Sequence, residues 1–328
     1  MQNRVLGKTG FPVSKVSLGT WQVGGKWGSV FDPDNAEAII LDAIDHGVNF
    51  IDTADVYSDG LSEEAVAKAV KLRKDKVHVA TKCGRKIQPH VSSGYQAAIL
   101  RKFVEDSLKN MKADTLDLIQ LHCPPTEVYY RPEIFELFEK LKAEGKILNL
   151  GVSVEKVEEA LKAINYPNVT TVQIIFNMFR QRPSDLFFRE AKKANIGIIV
   201  RVPLASGLLT GKFSRDTTFE ADDHRFFNRD GAAFDKGETF SGIPYETGLF
   251  AVEALKKALP DRKNLAAAAL RWILMFPEVS CVIPGASRKE QVDSNIQASV
   301  EPSFTDQEMA EVKKVYEQWV KPHVHPLW

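Results

Sequence analysis

Short apolar runs rich in β-branched residues alternate with segments of helical spacing from about Lys15 almost to the end of the sequence. That alternation is the pattern of parallel strands joined by crossover helices. Eight runs predict strands, at 15–19, 48–52, 77–81, 116–121, 148–152, 171–175, 196–202 and 278–283. Between them, Ile134, Leu137, Phe138 and Leu141 make an i, i+3, i+4, i+7 stripe closed by Gly145, and Leu100, Val104, Leu108 and Met111 make a second. Asp34 reads as the cap of a helix containing Ala38, Ile39 and Leu41, with His46 in its last turn and Gly47 beyond.

Eight strand-helix units in 328 residues suit an α/β fold of the closed (β/α)8 TIM-barrel type, because closure leaves no exposed edge and right-handed crossovers put every helix outside. A doubly wound open sheet is the alternative. The first strand runs into Leu18-Gly19-Thr20-Trp21-Gln22-Val23-Gly24-Gly25, which lacks the G-x-G-x-x-G spacing of a dinucleotide-binding sheet and so favours the barrel. Residues 1–328 therefore read as one barrel domain. Two short apolar pieces around Gly7-Lys8-Thr9-Gly10 predict an N-terminal β-hairpin under the barrel, and extra C-terminal helices are expected at 264–275 and 305–319. The long irregular stretch 212–244, with Arg225-Phe226-Phe227-Asn228-Arg229 inside it, is expected to be a covering loop.

Composition narrows the function classes. Lysine plus arginine and aspartate plus glutamate balance at 43 each, so no net field draws the chain to nucleic acid or to an anionic membrane face. Three cysteines make no disulfide framework, and neither a signal-like start nor a membrane-length apolar run is present, so a cytoplasmic, reduced setting is expected. No metal site is expected; the His323–His325 pair lacks further ligands, and Leu327 and Trp328 are expected to dock on the protein.

In such a barrel, polar residues at the carboxyl ends of the strands converge on one face. Three successive predicted strands end in Asp52, Lys82 and His122, and Tyr57 follows on the first exit loop. A buried lysine needs a partner, and Asp52 on the neighbouring strand is the natural one. A cation beside Tyr57 would lower the phenol's pKa and so ready it to donate a proton at neutral pH, with His122 orienting a carbonyl oxygen. Spacing alone leaves open a Schiff-base lysine of the aldolase type.

The stretches Asp52-Thr53-Ala54-Asp55-Val56-Tyr57, Ala80-Thr81-Lys82 and Asp117-Leu118-Ile119-Gln120-Leu121-His122 resemble the signatures of the aldo-keto reductases. Gly151-Val152-Ser153, the run from Pro203 to Lys212, and Ile283-Pro284-Gly285-Ala286-Ser287 with Gln291 and Asn295 extend the resemblance nearly end to end. It is strongest toward bacterial reductases related to potassium-channel β-subunits and to inositol-operon and general-stress reductases. The resemblance implies NADPH-dependent reduction of a small aldehyde or ketone, with Tyr57 as general acid, Lys82 and Asp52 tuning it, and His122 on the carbonyl. It further implies that Ser153 and Gln173 hold the nicotinamide carboxamide. Gly19, Thr20, Trp21, Asp52, Arg201, Pro203, Leu204, Ser206, Gly207, Leu208, Lys212, Gly285, Ser287, Arg288, Gln291 and Asn295 complete the implied cofactor site. Arg288 is the residue expected on the adenosine 2′-phosphate, because a guanidinium offers it bidentate hydrogen bonds. The competing reading is a slow-turnover, cofactor-binding regulatory or channel-associated subunit. The physiological carbonyl compound and the oligomeric state stay open.

Three positions depart from the family pattern. Val154 stands where many relatives have Asn, Ser294 where many have Glu, and Arg201 where many stack an aromatic ring on the nicotinamide. A guanidinium stacked there would disfavour the cationic oxidised cofactor. Cys83 and Cys123, each directly after one of the four exit residues, raise the idea of a redox pair, and Trp21, Trp27 and Pro124-Pro125 are expected pocket walls.

Overall fold

The computed structural model describes residues 2–25 and 30–328. The barrel strands follow the apolar runs: β3 (Leu18–Gly19), β4 (Phe50–Asp52), β5 (His78–Cys83), β6 (Leu116–His122), β7 (Ile147–Ser153), β8 (Val169–Ile175), β9 (Gly197–Arg201) and β10 (Val279–Val282). They pair in parallel in sequence order. The first and last strands then meet: the Ser17 amide donates to the Val282 carbonyl at 2.9 Å, the Val282 amide to Lys15 at 2.9 Å, and the Gly19 amide to Pro284 at 3.1 Å. The open-sheet alternative is therefore excluded by backbone hydrogen bonds. The predicted hairpin, β1 (Asn3–Val5) with β2 (Pro12–Ser14), plugs the barrel floor: Leu6 and Val13 join Phe50, Ala80, Leu118, Ile199 and Cys281 in one buried cluster.

Side chains alternate along each strand, and this period of two builds the site. Phe50, Ala80, Leu118 and Ile199 fill the floor, so Asp52, Lys82, Gln120 and Arg201, each two residues further on, stand one layer higher at the carboxyl end. Gly151 makes room for this layer, since a Cβ there would lie 2.1 Å from Thr171 Oγ1 and 3.1 Å from Gln120 Cγ.

Helix ends shift slightly from expectation. The cap of the first crossover helix, Pro33–Asp45, is Asp32 rather than Asp34; its side chain accepts from the amides of Asp34 and Asn35, and the proline takes the first helical position, where no N–H is needed. The helix expected at 264–275 is Leu265–Leu274, with Asn264 as its cap, accepting from the Ala267 amide. The other C-terminal helix, Asp306–Val315, runs on into a π-helical turn at Tyr316–Val320. The stretch 212–244 is less irregular than expected, holding a helical turn at His224–Phe227 and 3-10 turns at Lys236–Glu238 and Phe240–Gly242. Among the described residues no helix is long and apolar enough to cross a membrane.

Candidate functional site

Asp52, Lys82 and Tyr57 form one hydrogen-bonded group at the carboxyl mouth of the barrel, and the His122 ring packs beside it. Lys82 Nζ donates to Asp52 Oδ2 at 2.5 Å, to the Thr53 carbonyl at 2.8 Å and to the Tyr57 hydroxyl at 3.2 Å. Asp52 Oδ1 accepts from Gln120 Nε2 at 2.9 Å and Gln173 Nε2 at 2.7 Å, so the carboxylate is fully engaged. The Tyr57 and His122 rings stand edge-on with centroids 6.0 Å apart. His122 Nδ1 is buried without a hydrogen-bond partner, leaving Nε2 as the nitrogen that can meet a substrate oxygen.

Burial opposes the Lys82 charge, but Asp52 and Tyr57 outweigh it and the lysine pKa ends above its ordinary value. That ammonium is no Schiff-base nucleophile, which must be neutral. The sequence expectation for Tyr57 needs correcting. Burial raises its pKa, Lys82 pulls it down, and the net direction is up. The phenol is thus firmly protonated at neutral pH, and a phenolate formed there would have the Lys82 ammonium beside it. Burial, followed by Lys82, Arg85 and Arg201, holds the His122 pKa well below normal, so its ring is neutral.

Arg201 does not present a free guanidinium to the mouth. It donates to Glu155 Oε2 at 2.9 Å and to the Val154 carbonyl at 3.0 Å, and lies 3.4 Å from Glu238 Oε2. The guanidinium is therefore not a bare charge at the mouth, being held among Glu155, the Val154 carbonyl and Glu238. Cys83 and Cys123 are buried, and burial pushes both thiols up; at Cys123 it outweighs the downward pull of Arg201, which donates to its Sγ at 3.5 Å, and of Arg85, so neither is drawn toward the thiolate.

Thr20 Oγ1 reaches the Asp52 carbonyl at 3.1 Å and Ser62 at 2.8 Å. The Trp21 ring lies 4.8 Å from that of His224 in the segment 212–244; Trp27 lies outside the described residues. Ser153 is buried with Oγ 3.4 Å from Cys123 Sγ. Both Gln173 N–H groups are spent on Asp52 and Gln120, at 2.7 and 3.2 Å, which leaves its oxygen to accept. After Pro203 and Leu204 the chain turns through Ser206 at φ 54 and Gly207 at φ 97, with Leu208 buried and Lys212 exposed. Beyond Gly285, Gln291 folds back to accept from the Ser287 amide at 2.7 Å, and Asn295 donates to the Gly285 carbonyl at 3.2 Å. Arg288 stands at the N-cap position of Lys289–Gln297 and, among the described residues, is paired only with Glu290, at 3.6 Å.

The segment 212–244 is fastened around residues 235–240 from two sides. Ser206 Oγ donates to the Glu238 carbonyl at 3.1 Å and accepts from the Phe240 amide at 3.1 Å. From the other side the Trp328 indole donates to Asp235 at 2.8 Å, beneath the Arg180 guanidinium 4.0 Å from its ring. Gly237 and Gly242 accept this ring because a Cβ on either would come within 2.7 Å of it. Docking of the tail thus rests on Trp328; Leu327 is exposed, and His325 bonds Tyr316 at 2.9 Å.

Sequence reasoning passed over Gln120, Glu155, Glu238, Arg85 and Asp55. Gln120 had a signal, the period-two spacing Leu118, Gln120, His122. Glu238 had none, since it reaches the mouth from a loop. Asp55 is buried with no side-chain partner for either carboxylate oxygen among the described residues, and burial followed by the nearby Glu63 carboxylate raises its pKa to about 7 against the weaker pull of Lys86 and the Val56 amide. A carboxyl whose folded pKa is raised binds more protons folded than unfolded, so it lowers stability as pH climbs from about 4 to 7. Asp55→Asn is expected to melt higher than the parent at pH ~8, by at most about 4 kcal/mol for a shift of about three units, with the gap closing below pH ~4. Paired melting curves against pH check it; a gap that widens in acid sinks it.

With this geometry established, the comparisons are specific. Residues 15–317 match the model of the Aldo/keto reductase family. The chain is 33% identical over 301 residues to Aldo-keto reductase YhdN of Bacillus subtilis, covering 90% of this chain and 87% of that protein. Among solved structures it is similar to the glycerol dehydrogenase AKR11B4 from Gluconobacter oxydans, at TM-score 0.75 and 33% identity, over 98% of this chain and 95% of that one. The holo form of aldo-keto reductase AKR11C1 from Bacillus halodurans matches at TM-score 0.77 and 27% identity, over 96% of each chain.

Proposed function

The chain belongs to the aldo/keto reductase family, and from that premise we propose that it reduces aldehydes or ketones to alcohols with NADPH, using Tyr57 as general acid. The observation that carries this reading is the Asp52–Lys82–Tyr57 relay beside a neutral His122. NADPH, when bound, supplies the hydride. Tyr57 gives its proton to the carbonyl oxygen, and Lys82 Nζ, already on the hydroxyl, stabilises the phenolate left behind. Asp52 keeps the ammonium charged and aimed. His122, neutral, hydrogen-bonds the same oxygen without competing for the proton.

The residues present suit a phosphorylated dinucleotide. The Gln173 oxygen is left to accept a carboxamide N–H, Ser153 stands beside it on the neighbouring strand, and the Ser206–Gly207 turn with the Glu238 strap above it forms the covering segment. Arg288, loosely paired at 3.6 Å and heading a helix, supports a site for the 2′-phosphate. The test is loss of reduced-nicotinamide absorbance with a panel of aromatic and short aliphatic aldehydes, together with dissociation constants for NADPH and NADH. NADPH is expected to bind tighter, and Arg288→Ala to weaken NADPH roughly tenfold while narrowing the gap to NADH. NADPH binding without turnover of any carbonyl would favour the regulatory-subunit reading, and equal constants for the two dinucleotides would end the NADPH assignment.

A further inference from the structure

Beside the relay stands a charge cluster that the proton transfer does not use. Arg85 lies three residues beyond Lys82 on the exit of β5, and Cys83 is in register with Leu121, so Arg85 leaves its strand one residue past the level at which His122 ends the neighbouring one. Arg201 enters from β9, Glu155 from just past β7, and Glu238 from the covering loop. Glu238 lies between the two guanidiniums, 3.4 Å from Arg201 and 3.9 Å from Arg85.

The pairing is unequal. Arg201 has Glu155 at 2.9 Å, the Val154 carbonyl at 3.0 Å and the shared Glu238. Arg85 makes no hydrogen bond among the described residues, and its side chain is 21% exposed where that of Arg201 is 9% exposed. Like charges this close do not both ionise: burial and the neighbouring Glu238 hold the Glu155 carboxyl well above the usual range, and the two acids carry one negative charge between them. Lys82 and Asp52 cancel, and Tyr57 and His122 are neutral. Among Arg85, Arg201, Glu155 and Glu238 one positive charge is left over, and Arg85 is the guanidinium with the poorer partner and the greater exposure.

Cys123, Glu155 and Glu238 also offer ligand atoms within 4.8 Å of one another, in a geometry that could hold a metal ion. Two guanidiniums already hold those carboxyls, and a third cation there meets their repulsion. An anion meets attraction instead.

We propose that Arg85 anchors an oxyanion carried by the carbonyl substrate, so that the compounds turned over best are aldehydes or ketones bearing a carboxylate or a phosphate. This rests on the reductase reading and narrows it. Glu238 is the internal competitor: it partly occupies Arg85 when the site is empty and gives way to an anion that makes the bidentate contact Glu238 does not make at 3.9 Å.

The experiment compares kcat/KM for 4-oxobutanoate against butanal, and for glyceraldehyde 3-phosphate against glyceraldehyde, in the parent, Arg85→Gln, Arg85→Lys and Glu238→Gln. The parent is expected to favour the anion more than about tenfold in at least one pair, and the pair concerned tells carboxylate from phosphate. Arg85→Gln lowers that ratio roughly tenfold or more, chiefly through KM, Arg85→Lys restores part of it, and Glu238→Gln moves it the other way. Opposite signs for Arg85→Gln and Glu238→Gln are not the mark of general disruption. A parent that reduces the neutral compounds with no preference for either anion overturns the anchor and leaves the reductase reading standing, as does an Arg85→Gln ratio equal to the parent's. A parent that reduces none of the four fails the reductase reading and the anchor with it.

Discussion

Tyr57→Phe is expected to lower kcat by about a thousandfold, within the range that a positioned general acid contributes, while NADPH binds about as before. The phenyl ring keeps the edge-on contact with His122 and loses only the hydroxyl that Lys82 holds at 3.2 Å. The pH profile of the parent carries a second check. A general acid works while protonated, so activity falls as pH rises through its pKa; burial, set against the opposing pull of Lys82, leaves the Tyr57 pKa above the phenol value of 10.0. The alkaline limb is therefore expected beyond pH ~10. His122 is held well below the ordinary histidine value of 6.5 by burial and by nearby cations, so no acid limb is expected near pH ~6.5. The profile should be flat across neutrality. Retention of a tenth or more of kcat by Tyr57→Phe, or a limb between about pH 6 and 9 in kcat that disappears with Tyr57, would remove the phenol from its role.

What the sequence disclosed divides along a physical line. The eight strands were legible because a barrel buries both faces of each strand, which writes unbroken β-branched runs such as Ile198-Ile199-Val200, and because Asp52, Lys82 and His122 end strands where polar residues have no structural reason to be. The mouth's second charge system was not legible. Glu238 reaches Arg201 and Arg85 across a loop fold held by Ser206 and Trp328, contacts 32 residues apart in one case and 93 in the other for Trp328 to Asp235, and no periodicity links them. The direction of the Tyr57 shift was missed for a related reason. Sequence names the cation nearby, but the desolvation that outweighs it depends on how much chain covers the ring. Long-range covering segments set the electrostatics here, and they are the part of the fold that local pattern does not encode.

The same reasoning separates what Lys82 does for folding from what it does for chemistry. Lys82 and Asp52 have side chains 1% and 3% exposed, so removing one partner strands the other in a poorly solvated layer. Lys82→Met is expected to cost about 3 kcal/mol, the low end for breaking a buried pair, because Gln120 and Gln173 still donate to Asp52. It should also lower kcat by at least about a hundredfold, since the phenolate formed at Tyr57 then has no cation beside it. Asp52→Asn together with Lys82→Met removes both charges, and a neutral, volume-matched replacement of a buried pair is often close to neutral in stability. The double variant should recover most of the denaturant midpoint lost by Lys82→Met and none of the activity. Recovery of neither would mean that Lys82 acts through packing of its stem against the Tyr57 ring, 4.8 Å from Nζ to its centroid, and recovery of both would mean that Tyr57 needs no cation to donate its proton.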